Sequence, residues 1–427
     1  MKKFCWYLLL FLGCFLVFFV ATIIKSIWCD EVWVYGFSHN LSKGMIIYRD
    51  FNVLQMPLYF FISSFFIQIF GDYVISMHVF DCILISFLFL LMYQRLKWRA
   101  VLVLSILFIG YSGYNLLSLF LFMCILFCMD RRVDDDFLIG ILVGLIFITK
   151  QNLGIVLFFP YFYYSKKKLR SIFFFLLPFL IIGFYFVMNS SFLSFLDCVF
   201  GSILDFNQHN KKILLFFGSI EVLVVCHLLF LIFKEHFRDK RLLYVLAFQI
   251  LSYPICDDGH VFLALIPYFY LLFDYDFSMK KYYGLLFLIF YSLFSLTFSS
   301  INISFQNDLF YLRNTSSIDY SLLNSIHDKE DDYDYVFIAD WYAYVYKLYY
   351  DISINQYDFL LSGNAGYHGV QKKIEKVNNL CKEKSCLFAI SKGDFDSSFS
   401  QWTEFIDDIK NNYHYIEGKN DFYFFSN

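Results

Sequence analysis

The stretch "WCDEVWVYGFSHNLSKGMIIYRDFNVLQMPLY" (residues 28–59) follows directly on an apolar run at residues 4–24. It places two adjacent acids, Asp30 and Glu31, where a first membrane helix would meet water. Carboxylates at a membrane edge are costly unless they face solvent or a partner, and are therefore functional candidates. The pair predicts either a solvated flank or part of an active site.

The composition places the chain among proteins that cross the membrane many times. Hydrophobic residues make up 59% and charged residues 17% of the 427 residues, and long apolar segments recur through residues 1–300. Residues 301–427 differ, with 19 acids against 11 Lys and Arg. We therefore predict a membrane domain, residues 1–300, with a first extracytoplasmic loop at 26–72, and a separate tail, residues 301–427. The sequence has no basic stripe of the kind that would predict a nucleic-acid partner.

Positive charge in short loops predicts the orientation in the membrane. Lys2 and Lys3 place the N-terminus in the cytoplasm. Segment 56–70 is short for a span, and if it lies in the outer interface the later Lys and Arg clusters all fall inside. The chain is therefore predicted to be a multi-pass plasma-membrane protein with about eleven spans and an external tail. The predicted spans are 4–25, 73–94, 100–115, 116–129, 137–149, 153–164, 171–188, 213–233, 241–256, 260–273 and 281–300.

The tail has the pattern of a small extracytoplasmic α/β domain. Strands are predicted at "YDYVFIAD" (333–340), "SCLFAISK" (385–392) and "DFYFFSN" (421–427), and amphipathic helices at "HGVQKKIEKVNNL" (368–380) and "SQWTEFIDDIKNN" (400–412). Cys381 and Cys386 are close enough to form a disulfide in an oxidising compartment, or they are two free thiols.

Several motifs of the membrane part occur together and in a fixed order. Asp30-Glu31 is followed by "GMIIYRDF" (44–51) and "MPLYFF" (56–61), and later by "FITKQNLGI" (147–155) and "SYPICDDGHVFLALIP" (252–267). This series resembles the polyprenyl-phosphate-dependent glycosyltransferases of the GT-C fold, which include protein O-mannosyltransferases and the aminoarabinose transferases of lipid A. The resemblance covers most of residues 1–300.

The chain departs from the family pattern at three places. One extra residue separates Gly44 from Tyr48, and Pro57 stands alone where many members have two prolines. His78 occupies the position of a family Arg. A histidine is only partly charged near neutral pH, so this change puts the contact made by the family Arg in doubt.

The resemblance implies transfer of a sugar from a polyprenyl-phosphate donor to an extracytoplasmic glycan, lipid or protein, with inversion of the anomeric carbon. An acceptor hydroxyl is a weak nucleophile, so a carboxylate is expected as the general base. We assign this role to Asp30. Glu31 is its supporting neighbour or a group that positions the acceptor, and Lys150 is expected to meet the phosphate charge. The predicted substrate-binding residues are Tyr48, Asp50, Lys150, Gln151, Asp258 and His260.

The residues leave several alternatives open. Lys150 reads equally as a snorkelling helix end. The turn with Asp257, Asp258 and His260 reads as a structural turn, a substrate contact or a site for a divalent cation; no other cofactor is predicted. For the whole chain, a transporter or flippase for lipid-linked sugars, or a polymerase of cell-envelope glycans, is the alternative. A transporter commonly has internal repeats, and no convincing one is found.

Overall fold

The computed structural model describes most of the chain. The described residues are 2–27, 29–109, 113–131, 136–202, 215–235, 238–252, 258–275, 289, 291, 293–294, 302–305, 309–329, 332–339, 342–352, 366–395, 403–419 and 422–427. They form two compact units. The helical unit comprises Met1–Ser26, Met56–Phe184 and Lys212–Asn314, and the sheet unit comprises Ile27–Gln55, Tyr185–Lys211 and Thr315–Asn427. The predicted division near residue 300 stays a prediction.

The helical unit is built from long and short apolar helices. They are α1 (Lys2–Ile24), α3 (Leu58–Phe70), α4 (Val74–Leu96), α5 (Arg99–Leu104, continued as a 3₁₀ turn to Ile109), α6 (Tyr114–Asp130), α7 (Asp136–Phe147), α8 (Gln151–Tyr164), α9 (Lys168–Met188), α11 (Leu215–Lys234), α12 (Lys240–Phe248, continued as a 3₁₀ turn to Ser252) and α13 (Asp258–Tyr275). Each predicted span up to 260–273 coincides with one of them. The predicted span 281–300 lies almost wholly outside the described residues.

Three of these helices have the length and composition of membrane spans. Within the described part of the chain, α1, α4 and α9 qualify. Large apolar side chains point away from the protein, such as Phe4 and Leu9 on α1 and Ile181 and Phe184 on α9. Such faces are unfavourable in water and suit contact with lipid, because helices satisfy their own backbone groups there. The chain is therefore suited to a membrane, and the number of spans stays a prediction.

Helices α1 and α4 run antiparallel. Near the start of α1, Trp6 donates to the hydroxyl of Tyr93 at 3.4 Å, near the end of α4. The segment after the last predicted span joins their other ends. Asn314 donates to the carbonyl of Ile24 at 2.8 Å, and the N–H of Val74 donates to Leu309 at 3.2 Å.

Helix α3 begins near the second turn of α4, where Tyr59 contacts Asp81, and ends just before the first turn of α4. Its first N–H, on Leu58, donates to the carbonyl of Ile148 at 3.1 Å. Its end is followed by the turn at Gly71, where φ is 99°, and α4 starts directly after it. Thirteen residues span about 20 Å, less than the roughly 30 Å of a hydrocarbon core. Other helices that match predicted spans, such as α7, are no longer than α3, so the prediction that segment 56–70 does not cross stays a prediction.

Polar clusters lie at the two ends of α6 and α13. At one end Arg241, at the start of α12, pairs with Asp130 (2.6 Å) and Asp274 (2.7 Å), in the last turns of α6 and α13. At the other end, the first turns of α6 and α13 meet through Asn115 and His260. Helices α6 and α13 therefore run parallel, with α12 antiparallel to them. The prediction that Arg241 lies in the cytoplasm is compatible with this order.

The sheet unit contains a four-stranded sheet. Its elements are α2 (Cys29–Ser42), α10 (Phe192–Leu196, continued as a π turn to Gly201), α14 (Tyr320–His327), β1 (Tyr335–Ala339), α15 (Tyr342–Tyr349), α16 (Gly369–Cys381), β2 (Cys386–Ser391), α17 (Lys392–Phe395), α18 (Thr403–Asn412), β3 (His414–Lys419) and β4 (Phe422–Ser426). The strand order is β1-β2-β4-β3, with β1 and β2 parallel and the other neighbours antiparallel.

The core of the sheet confirms the predicted strands and shows one that was missed. Phe337, Phe388 and Phe425, from β1, β2 and β4, pack with the apolar faces of α16 and α18. Strand β3 was not predicted, because it is an edge strand and its side chains Tyr415 and Ile416 are exposed. An edge strand with both faces in water lacks the alternation that marks a half-buried strand.

The two cysteines of the tail are joined. Cys381, at the end of α16, and Cys386, at the start of β2, form a disulfide with their Cα atoms 5.7 Å apart. The bond closes the short turn between α16 and β2. Disulfides persist in oxidising compartments, so this bond favours an extracytoplasmic location for the tail.

Candidate functional site

The acidic pair lies on a helix of its own. Asp30 and Glu31 were expected in a loop at the end of the first helix, but they form the first turn of α2. The helix was missed because residues such as Val32, Tyr35 and Phe37 are all buried. A short helix that is buried on several faces shows no single apolar stripe, and its Ser, His, Asn and Gly residues resemble a loop.

The two acids have different surroundings. Asp30 is exposed, and its Oδ1 accepts a hydrogen bond from the indole N–H of Trp33 at 2.9 Å. Glu31 is buried, with 9% of its surface exposed. The first turn of a helix is also where a negative charge is stabilising. Asp30 is therefore the member of the pair that can reach a bound molecule, and Glu31 is the one that packs inside the sheet unit.

Tyr48 has a structural role in the first loop. It has a positive φ of 67° and is 2% exposed. Its hydroxyl donates to the carbonyl of Gln55 at 2.6 Å, and its ring packs on Phe186 and Phe195 at 5.1 and 5.2 Å between centroids. Burial raises the pKa of Tyr48 well above its ordinary value. Its predicted contact with substrate is not evident in this conformation and stays a prediction.

Asp50 closes the same loop. Its Oδ2 accepts from the N–H of Ile46 at 2.7 Å, and Arg49 pairs with its Oδ1 at 2.8 Å. The hydrogen bond from Arg49 holds the pKa of Asp50 below its usual range. These contacts explain the "YRDF" element as a loop closure, and a role of Asp50 in substrate binding stays a prediction.

Lys150 is the centre of a polar cluster in the helical unit. It is the N-cap residue of α8, and its ammonium donates to Asn115 Oδ1 and to the carbonyl of Leu251, both at 2.9 Å. Its Nζ also lies 6.0 Å from the ring centroid of Tyr114. Since a helix N-terminus carries partial positive charge, the ammonium and the start of α8 favour an anion at the same place.

Asn115 connects two of the predicted site residues. Its Nδ2 lies 3.2 Å from Nε2 of His260, and its Oδ1 accepts from Lys150. The structure thus brings Lys150 and His260 together through a residue that the sequence reasoning missed. Gln151, next along the chain, is 8% exposed. Asp258 starts α13, but its side chain lies outside the described residues, as does the whole of Asp257.

The described residues contain no group of three His, Cys, Asp or Glu suited to hold a metal ion. The cluster around Lys150 combines a cation with neutral polar groups. Its chemistry suits a phosphate, which needs a positive charge and hydrogen-bond donors.

A second buried polar cluster surrounds His78, on α4. His78 is 4% exposed and Asp81 is 2% exposed, and His78 Nδ1 lies 3.2 Å from Asp81 Oδ2. The hydroxyl of Tyr59 and the N–H of Gly113 donate to Asp81 Oδ1 at 3.0 and 3.3 Å. A carboxylate inside a membrane helix costs about 3 kcal/mol on insertion scales, and such residues are usually paired and functional.

Comparison with known proteins identifies the fold. No protein-family model matches the chain, and no curated protein matches it. The crystal structure of ArnT from Cupriavidus metallidurans bound to undecaprenyl phosphate aligns with a TM-score of 0.60 and 9% identity, over 98% of each chain. The chain has the ArnT fold. The apo state of ArnT aligns with a TM-score of 0.55 and 10% identity, over 100% of this chain and 98% of that chain.

The match confirms, for the fold, the resemblance to GT-C enzymes that the first loop and the later motifs predicted. It extends through the tail, which the sequence motifs did not cover. At 9–10% identity the roles of individual residues do not follow from the alignment. They have to be argued from the geometry of this chain.

Proposed function

We propose that this protein is an integral membrane glycosyltransferase that uses a polyprenyl-phosphate sugar as donor and an acceptor hydroxyl outside the cytoplasm. The observation that carries the proposal is the fold shared from end to end with ArnT, one of whose structures is bound to undecaprenyl phosphate. The Lys150 cluster adds support, because it offers an ammonium at a helix N-terminus, as a lipid phosphate requires.

Asp30 is the proposed general base. Its exposed carboxylate would take the proton of the acceptor hydroxyl while the hydroxyl oxygen attacks the anomeric carbon of the sugar. The bond between that carbon and the phosphate oxygen breaks, and its electron pair leaves with the polyprenyl phosphate. Attack opposite the phosphate inverts the anomeric carbon. Glu31 would support the first turn of α2 from inside the sheet unit.

Lys150 is the proposed partner of the phosphate. Negative charge increases on the leaving phosphate as the sugar departs, and a fixed cation stabilises that charge without rearrangement. Asn115 and the carbonyl of Leu251 hold the ammonium in place. Gln151, Asp258 and His260 would complete the binding of the donor or the acceptor. The divalent-cation site, one of the alternatives for the turn with Asp257, Asp258 and His260, stays a prediction.

The enzyme proposal has a direct test. Deleting the gene should accumulate one polyprenyl-phosphate sugar and remove one sugar from the surface glycans, lipids or proteins, as read by mass spectrometry of both fractions. The purified protein in nanodiscs should then convert that lipid-linked sugar to undecaprenyl phosphate in the presence of the unmodified acceptor. A transporter or flippase would move the lipid-linked sugar between leaflets without releasing the sugar, and that result would refute the enzyme proposal.

The tail is expected to face outside the cytoplasm. The basic loops predict this orientation, and the Cys381–Cys386 disulfide is compatible with it. A reporter active only in the cytoplasm, attached after Asn427, should give no signal, whereas the same reporter before Lys2 should give full signal. Alkylation of the unreduced protein should leave both tail cysteines unlabelled. A strong signal from the C-terminal reporter would overturn the topology.

A further inference from the structure

Asp81 is a buried carboxylate in a helix suited to cross the membrane, and the proposed reaction gives it no role. It lies in the second turn of α4 and is contacted by two residues from elsewhere in the chain and by one on its own helix. Tyr59 of α3 and the N–H of Gly113 donate to Oδ1, and His78 Nδ1 approaches Oδ2. Burial of a carboxylate is costly, so the hydrogen bonds from these partners are needed to keep Asp81 inside the protein.

The contact with Gly113 fixes the start of α6. Gly113 is the N-cap residue of α6, with a φ of 91° and no side-chain cap from its own segment. The carboxylate of Asp81 accepts the N–H of this residue, which lies two residues before Asn115. Asn115 in turn accepts from Lys150. A shift of the α6 start would therefore move the oxygen that holds the ammonium.

The hydrogen bond from Tyr59 links Asp81, through α3, to the chain just before Lys150. Tyr59 follows Leu58, whose N–H donates to the carbonyl of Ile148, two residues before Lys150. The start of α3 is thus tied both to Asp81 and to the end of α7. Asp81 therefore holds two segments near Lys150: the start of α6, which contacts the ammonium through Asn115, and the start of α3, which contacts the end of α7.

We propose that Asp81 is a positioning residue. It fixes the ammonium of Lys150 at the place where this ammonium meets the donor phosphate. This inference rests on the proposed function for the identity of the anion, but the geometric coupling of Asp81 to Lys150 can be tested without it. Asp81 itself touches no substrate. Its hydrogen bond from the N–H of Gly113 fixes the start of α6, which has no side-chain cap of its own.

The test is a double-mutant cycle on the full-length protein in nanodiscs, with undecaprenyl phosphate as the probe. Asp81→Ala should raise the Kd about tenfold, while on a Lys150→Met background it should add less than about twofold, because coupled residues are non-additive. Asp81→Asn should retain most of the affinity, since its amide oxygen still accepts from Tyr59 and Gly113. Ser86→Ala is the matched control. Ser86 is buried on the same helix, donates to the carbonyl of Cys82 and contacts Cys14 of α1.

A second readout separates this inference from the proposed function. The rate at which an amine-specific reagent labels Lys150, measured by peptide mass spectrometry, should rise several-fold in Asp81→Ala and stay unchanged in Asp81→Asn and Ser86→Ala. If the wild type does not bind undecaprenyl phosphate, the donor assignment fails, and the labelling rate still tests the coupling. Tyr59→Phe removes one contact and serves if Asp81→Ala does not fold. Additive effects on Kd, or equal labelling of Lys150 in wild type and both variants, would overturn the positioning role.

Discussion

Asp30→Asn is expected to lower the rate of sugar transfer by about 10² to 10⁴, the usual loss on removing a general base. The amide keeps the size of the side chain and can still accept the hydrogen bond from Trp33. It cannot accept the proton of the acceptor hydroxyl. The binding of donor should therefore remain close to that of the wild type, and the loss should appear in kcat. The measurement is single-turnover transfer from the accumulated lipid-linked sugar by the purified variant.

The controls separate a base from a surface charge. Asp319 is also an exposed acid of the sheet unit, where its carboxylate accepts from the N–H of Ser321 in the first turn of α14. Asp319→Asn should leave the transfer rate within about twofold of the wild type, as surface substitutions usually do. If Asp30→Asn turns over at a near-normal rate, the assignment is wrong, and Glu31→Gln becomes the next variant to measure.

Much of the helical unit follows from the sequence, because a membrane helix is specified by a long apolar run with polar ends. The predicted spans 4–25, 73–94 and 171–188 lie within one to three residues of α1, α4 and α9. The predicted spans 100–115 and 241–256 begin within one residue of α5 and α12, and each continues as a 3₁₀ turn. Parts of both predicted spans, residues 110–112 and 253–256, lie outside the described residues. A change of helix type leaves no mark on hydropathy.

The candidate site was predictable only in part. Lys150 and His260 were found because a charged or titratable residue next to an apolar run is conspicuous. Their connection through Asn115 was not predictable, since it joins residues separated by 35 and 145 positions. Asp81 gave the same local signal as Lys150, an ionisable residue in an apolar segment, and it was overlooked because no motif included it. Local patterns identify candidates, but the contacts that orient them are long-range.

Lys150→Met is expected to raise the Kd for undecaprenyl phosphate about 10- to 100-fold, because a charge-assisted hydrogen bond contributes roughly 1.5 to 3 kcal/mol. Methionine has a similar length and apolar stem, so the packing of the α8 start should be retained. Tm should fall, because Asn115 Oδ1 and the carbonyl of Leu251 lose the hydrogen bonds from the ammonium. Donor binding by isothermal titration in nanodiscs, at a temperature where the variant stays folded, should show the loss. Transfer at saturating donor should also slow, because the cation stabilises the leaving phosphate.

The matched control is Lys168, the first residue of α9, whose ammonium lies at the end of α8. Lys168 donates to the carbonyl of Tyr163 at 2.9 Å, in the last turn of α8, where a helix carries partial negative charge. Lys168→Met removes the same charge from the same protein and should leave the Kd within about twofold. An equal loss in both variants would mean that lysines attract the anionic lipid only through the net charge of the protein. A loss confined to Lys150→Met requires a specific contact at the start of α8, since the two variants differ in position and not in charge.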